Sequence, residues 1–412
     1  MPAATPGTPS LLRAMNDRAA LELLLAHGPL SRTRIGHLTG LSKPTASQLL
    51  ARLEDAGLVV ATGTDGGRPG PSAQLYALNP RAAHVGGLDV TPERVLAAVA
   101  DLTGAVVGSF ELPYTEGAGA VEQVTEALGE AVKAAGLQRS DLHRLVIATP
   151  GAFDPQTGRL RYASHLPGWH SPTLLDELAA ALPMPVEYEN DVNLAAIAEQ
   201  RLGAARGHED FVLLWNEEGL GAALVLGGRL HRGWTGGAGE VGFLPVPGHP
   251  LVRQVTRANT GGYQELAGVQ VLPRLAAELG IEATPGGTPP DAPHAPHAPH
   301  GPLVAEAVAL LRRAAAEPEG PYLRFLQSYA TVLATGLASL VAVLDPEVVV
   351  LSGAVITAGG DPLRALLEAE LGELAPARPR LVAGQVRERP VLRGALESAL
   401  AATREEVFDT SR

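Results

Sequence analysis

Two periodicities divide the chain. Between Leu11 and His27 the apolar residues Leu21, Leu24 and Leu25 recur at helical spacing, and Gly28-Pro29 ends the run. Ser31 then caps a short helix over 32–38, with Ile35 and Leu38 facing inward, and Thr39-Gly40 forms a tight turn. Ser42 caps a third helix that carries Pro44 in its first turn, where a missing N–H costs little. Leu49, Leu50 and Leu53 make its buried stripe and Gly57 stops it. The stretch "LVVATGTDGGRPGPSAQLYAL" reads as strand, Gly-rich turn and strand. Residues 1–80 are therefore predicted to form a winged helix-turn-helix.

From His84 the pattern changes to apolar runs separated by turns. "HVGGLDV", "RVLAAVADL" and "VVGSFELP" read as successive strands, followed by a helix over 121–135, a strand over 145–149, a helix over 173–182 and a strand over 186–189. "FVLLWN", "GAALVLG" and "EVVVLSG" are further strands, with long helices over 323–344 and 363–374. The pattern predicts an α/β unit over 84–412 in which helices cover mixed sheets in two lobes, meeting near residue 190 with a cleft between them. The segment 284–302, with its Ala-Pro-His repeat, is expected as an extended surface insertion. Prolines at every third position keep His294, His297 and His300 from folding around an ion.

Charge is distributed unevenly. The net charge is −12, yet residues 1–80 hold seven Lys and Arg against five Asp and Glu, while the rest holds 25 against 39. Any DNA-binding surface must lie in the first eighty residues. The third helix presents Ser42, Lys43, Thr45, Ser47, Gln48 and Arg52, side chains of the kind that reach base edges and phosphates. Arg68, between Gly67 and Pro69, is placed to enter a narrow A·T-rich minor groove. The alternative is a protein–protein module. With a local balance of +2 one copy would hold DNA weakly, so a homodimer or higher homo-oligomer on a two-part operator is expected.

With no cysteine, disulfides and thiolate chemistry are excluded. The N-terminus lacks the basic start and apolar core of a secretory signal, and the longest apolar stretch, 330–344, is shorter than the ~20 residues of a membrane span. The expectation is a cytoplasmic protein without a membrane segment.

Four segments, "TPGAFDPQTGRLRYASHLPGW", "VEYENDVNLAAIAEQRLGAARG", "GLGAALVLGGRLHRGWTGGAGEVGF" and "DPEVVVLSGAV", together resemble the ROK family of repressors, open reading frames and sugar kinases. The resemblance covers most of 84–410 and implies the two-lobed actin-like ATPase fold. With a winged helix in front, it is to the family's repressors of sugar metabolism. By position it implies that Asp191 stands where the kinases keep their general base, that Asn190 holds a neighbouring hydroxyl, and that Glu240 and Glu265 bind sugar. Locally, Asp191 also reads as a helix cap, Asn190 as a turn residue and Glu240 as part of a tight loop.

The chain departs from the kinases at the nucleotide loops. Asp89 is followed by "VTPE" instead of a Gly-Gly-Thr run, and the second loop reads "NEEGLGA", with Glu217 and Glu218 where Gly and Thr belong. The glycines that let backbone approach phosphate are missing, and two carboxylates beside a polyanion repel it. The family's zinc ligands are missing too: its His position is Phe243, and its cysteines do not occur. The expected function is a transcriptional regulator, a repressor rather than an activator, that senses a sugar, sugar derivative or phosphosugar, with no cofactor, metal or catalytic residue. An effector-free DNA-binding dimer and an active sugar kinase are the competing readings.

Overall fold

The computed structural model describes residues 9–410 apart from 66–72, 114–116, 155–156, 158, 162–165, 167–168, 170, 172, 253–260 and 283–300. The tip of the wing, with Arg68, and nearly all of the Ala-Pro-His segment thus lie outside the described residues.

Helices α1 (Pro9–His27), α2 (Arg32–Thr39) and α3 (Lys43–Asp55) pack with strands β1 (Leu30–Ser31), β2 (Val59–Asp65) and β3 (Ala73–Leu78). The three strands form one antiparallel sheet in the order β1-β3-β2. The caps follow from local chemistry. The Ser31 and Ser42 hydroxyls accept from the backbone N–H groups of Arg34 and Thr45 at 3.3 and 3.4 Å, and Gly40 and Gly57 take the left-handed φ of 71° that closes each turn. Ile35, Leu49, Leu50 and Leu53 are buried as expected. Leu38 is not: it is 37 % exposed. The inward side of α2 carries Ile35 and Gly36, where a Cβ on Gly36 would come 3.1 Å from the Leu41 carbonyl oxygen, and Leu38, two positions or about 200° beyond Gly36, points away from it.

The first large sheet contains β4 (His84–Val90), β5 (Arg94–Asp101), β6 (Val106–Pro113), β7 (Leu142–Thr149) and β10 (Val186–Asn190), in the order β10-β7-β4-β5-β6. The short ribbon β8 (Ala152–Asp154) and β9 (Arg159–Arg161) and helices α4 (Ala120–Ala134) and α5 (Leu174–Ala181) complete this part. After α6 (Asp191–Leu202) come β11 (Phe211–Asn216), β12 (Leu220–Leu226), β13 (Arg229–Leu230), α7 (Gly262–Ala267), α8 (Val271–Glu278), α9 (Pro302–Ala316) and α10 (Gly320–Leu344). The chain ends with β14 (Val348–Ser352), α11 (Ala354–Ala358), α12 (Gly360–Leu374), β15 (Arg380–Ala383) and α13 (Pro390–Val407). The second large sheet runs β13-β12-β11-β14-β15.

Both large sheets share one plan. In each, three antiparallel strands are followed by two that pair in parallel, so the spatial order is third, second, first, fourth, fifth. The central strands are buried along almost their whole length and mostly apolar, because both faces are covered. The outer face of the first sheet packs on α4 and α5, and that of the second on α10 and α12. Between the sheets a third core joins β4, β5 and β7 to β11 and β14 through α6 and α13. α10 is long and apolar enough to cross a bilayer, and begins at Gly320, three residues before the helix expected over 323–344. One face of it, with Phe325, Tyr329, Leu333 and Leu337, is fully buried in the protein core. Tyr263 lies over Gly336 and donates to the Leu333 carbonyl oxygen at 2.6 Å.

Candidate ligand cleft and nucleic-acid interface

β10 delivers Asn190 and Asp191 to the mouth of a cavity. Asn190 is the N-cap of α6: its Oδ1 accepts from the Asn193 N–H at 3.1 Å, and its Nδ2 donates to the Gly151 carbonyl oxygen at 2.9 Å. The capping role considered for Asp191 thus belongs to Asn190, whose amide is engaged at both ends. Asp191 is the first helical residue, and one of its carboxylate oxygens accepts the Val192 N–H at 2.8 Å. The cavity holds about 750 Å³, in the range of small-molecule sites. Asp89, Asp191, Glu217 and Glu240 line it together with Arg94 and Arg389.

Four buried carboxyls in one cavity cannot all ionise easily. Burial pushes Asp191 up to about 8, and the neighbouring charges of Asp89, Glu240 and Glu217 add to that, against the pull of the Val192 N–H. Glu217 and Glu240 are raised by burial to about 7; the Ala354 N–H offsets part of the effect on Glu217. Asp89 is also raised by burial, to about 6, with Arg94 and Arg389 favouring its charged form. At neutral pH this wall of the cavity offers carboxyls that both donate and accept, which suits polyol hydroxyls. Such clustered perturbation marks a functional-site candidate.

The expected ligand residues are not all brought together. Glu240 lines the cavity and also sits in the tight loop: Gly239 before it has φ 96°, and a Cβ there would fall 2.0 Å from the Ala222 carbonyl oxygen. Both readings of that position hold at once. Glu265 does not line the cavity; its carboxylate accepts the Gly261 N–H at 2.7 Å, and Gln264 lines the cavity in its stead. The reason is helical phase, since on α7 adjacent residues point about 100° apart. Glu217, in the turn between β11 and β12, accepts the Ala354 N–H at 3.0 Å at the start of α11. Arg94, Arg387 and Arg389 also line the cavity. Sequence reasoning missed them because nothing local marks an arginine that only tertiary packing turns toward a cleft.

On α3, Lys43, Thr45 and Gln48 are exposed. Thr45 shares a 2.8 Å hydrogen bond with the capping Ser42 hydroxyl. Ser47 is half-buried, donating to the Lys43 carbonyl oxygen at 2.9 Å and accepting from Arg32 at 3.1 Å. Arg52 is tied to the buried Asp17 of α1 at 2.6 Å, and the Thr410 hydroxyl donates to the other Asp17 oxygen at 3.2 Å. Thr410 lies just beyond α13. That helix also reaches the winged helix through Phe408, which is 3 % exposed within the core of α1, α3 and the wing. Glu405 accepts two hydrogen bonds from Arg18 at 2.8 and 2.6 Å. At its other end, α13 brings Pro390 and Val391 to the cavity.

A sequence profile of the ROK family matches residues 85–402. The chain belongs to the ROK family. A second profile, of the MarR family, matches residues 16–68, in agreement with the winged helix. ROK relatives include a putative xylose repressor of Caldicellulosiruptor sp. (strain Rt8B.4), 25% identical over 244 residues, or 58% of this chain and 61% of that protein. The chain thus spans less than two thirds of that relative's length. A ROK hexokinase from Thermus thermophilus superposes with a TM-score of 0.61 at 28% identity, over 78% of this chain and 99% of the other. A ROK family transcriptional regulator, described as a homologue of the E. coli MLC protein, superposes with a TM-score of 0.68 at 20% identity over 97% of both chains. The whole architecture, winged helix included, therefore has a solved counterpart.

Proposed function

We propose that this protein is a cytoplasmic transcriptional repressor in which a winged helix, residues 1–80, reads an operator, and a kinase-derived unit, residues 84–412 with lobes meeting near 190, senses a sugar, a sugar derivative or a phosphosugar. The carrying observation is α13. Its first residues line the cavity and its end is buried in the winged-helix core, so movement at the ligand site is delivered to α1 and, through Asp17, to Arg52 on α3. Asp191 and Glu240 hold hydroxyls; Asn190 positions Asp191 by capping α6. A tenfold loss of operator affinity needs only ~1.4 kcal/mol of coupling between ligand and DNA, within reach of a few hydroxyl contacts. The weak positive charge of one winged helix supports a homodimer on a two-part site.

The test is a gel shift of the DNA upstream of this protein's own gene, titrated with a panel of sugars and sugar phosphates. Release by one compound is expected; retention with every compound would leave the ROK unit as a dimerisation scaffold and overturn the sensing role. We exclude phosphoryl transfer, because Asp89 is followed by Val-Thr-Pro-Glu in place of a Gly-Gly-Thr run, and the exposed Glu218 lines the cavity. Sugar-dependent ADP formation above background would refute that part.

Base reading is assigned to Thr45 and Gln48, with Lys43 on phosphate. Gln48→Ala is expected to relax preference at one operator position by about 1–3 kcal/mol, whereas Lys43→Ala weakens all sequences alike and lowers the salt dependence. Binding to systematically varied operators separates the two patterns. A uniform loss for Gln48→Ala would make it a backbone contact. Ser47 and Arg52 serve to hold α3 in place, and Arg68 remains assigned to the minor groove.

A further inference from the structure

Beside the carboxyls, the same cavity is lined by Arg94 at the start of β5 and by Arg387 and Arg389 just before α13. The sugar-sensing reading gives these three no role. Arg94 is largely buried, and its Nε and Nη1 have no hydrogen-bond partner. Its approach to Glu111 is a loose 3.5 Å, and Arg389 stands 4.0 Å from the same carboxylate oxygen. Two guanidinium groups thus share one acid at distances too long for good hydrogen bonds. A guanidinium stays charged under all ordinary conditions, and leaving one buried without a well-placed acceptor is costly. Its planar fork matches a phosphate or carboxylate group.

We infer that Arg94, Arg387 and Arg389 form an anion subsite, and that the effector is a negatively charged sugar derivative, a sugar phosphate or a sugar acid, whose hydroxyls meet Asp191 and Glu240. This rests on the sugar-sensing reading and narrows it. The arginines and the carboxyls belong to one site: Asp89 lines the same cavity and interacts electrostatically with Arg94 and Arg389 and with Asp191. Burial keeps Asp191 largely protonated and Glu217 and Glu240 about half so at neutral pH, which lessens their repulsion of an incoming anion, and Arg94 and Arg389 favour the charged form of Asp89. A nucleotide is the poorer candidate, since its phosphates would also have to pass Glu218, which lines the cavity at the degraded loop.

The experiment measures release of fluorescent operator DNA from the full-length protein by matched sets of hexose, hexose 6-phosphate and hexuronate built on glucose, mannose and galactose. One charged member is expected to act at concentrations roughly tenfold or more below its neutral counterpart. The ratio should fall to near one in Arg94→Gln/Arg389→Gln. Arg387→Gln, an exposed position, should lower the ratio by itself and keeps the test open if the buried Arg94 variant does not fold. Which member acts tells phosphate ester from carboxylate. Neutral sugars acting as well as charged ones, or an unchanged ratio in the variants, would overturn the anion subsite and leave sugar sensing intact. If no member of any set releases DNA, the sensing role fails and the subsite fails with it.

Discussion

Gly394→Ala is expected to lower the stability of the large unit by about 3 kcal/mol and to blunt the response of operator binding to ligand. Gly394 lies on the buried face of α13, and a Cβ there would fall 1.8 Å from the Leu194 carbonyl oxygen of α6 and 2.4 Å from its carbonyl carbon. Both neighbours are backbone, so no side-chain rotation relieves the clash. One of the two helices must shift. α6 begins at Asp191 in the cavity and α13 ends in the winged-helix core, so their close packing is the joint through which the cleft and the DNA-binding unit communicate. Urea denaturation reads the first effect, and ligand-induced release of operator DNA reads the second. An unchanged unfolding midpoint would mean that the two helices are not this close in solution.

Asp191→Asn is expected to stabilise the ligand-free protein by up to about 5 kcal/mol at pH 8 and by almost nothing near pH 3. The sign follows from the direction of the shift. Burial raises the carboxyl from its ordinary value of 3.8 to about 8. Below pH 4 both folded and unfolded chains hold the proton, and the group contributes nothing to the balance. As the pH rises toward 8 the unfolded chain releases the proton while the folded one retains it, so stability falls through that window and levels off above it. Asparagine cannot ionise, and the decline is absent. Asp89, Glu217 and Glu240 produce slopes of the same sign below pH 7 or so, but they persist in the variant, so the difference between the two stability curves isolates position 191. A difference that does not grow between pH 4 and pH 8 would place Asp191 in contact with bulk water. The stability given up at neutral pH to keep an acid in this cavity is the physical reason for regarding it as a ligand group.

Local signals carried the winged helix well. Ser31, Ser42, Pro44, Gly40 and Gly57 act within a few residues of themselves, and capping and turn chemistry need no knowledge of the rest of the chain. The failure at Leu38 shows the boundary of that logic. Periodicity marks an apolar stripe, but the side of α2 that packs is set by how closely it approaches the loop at Leu41. The strands of both large sheets were legible for a related reason: burial on both faces writes a nearly continuous apolar run into β11 and β14, and into β4 but for Asp89.

The cavity was legible only in part. Asp191 and Glu240 were found through motifs whose spacing resembles a family, and both line it. Glu265 was misplaced by one position, and a single residue on a helix turns a side chain from the cavity to the Gly261 N–H. The roles of Asn190 and Asp191 were open in the sequence, because an Asn-Asp pair at a strand-to-helix junction offers two capping side chains; the backbone angles at Asn190 selected it. Alone, the sequence determined the main element types, the winged helix and the family, since each depends on neighbouring residues or on a motif's own spacing. Only the tertiary structure decided that Arg94, Arg387 and Arg389 line one cavity with Asp191, and that the C-terminal helix and the residues just after it join that cavity to Arg18 and Asp17. Those relations link residues up to 393 positions apart, and contacts so remote leave no periodicity for a sequence to display.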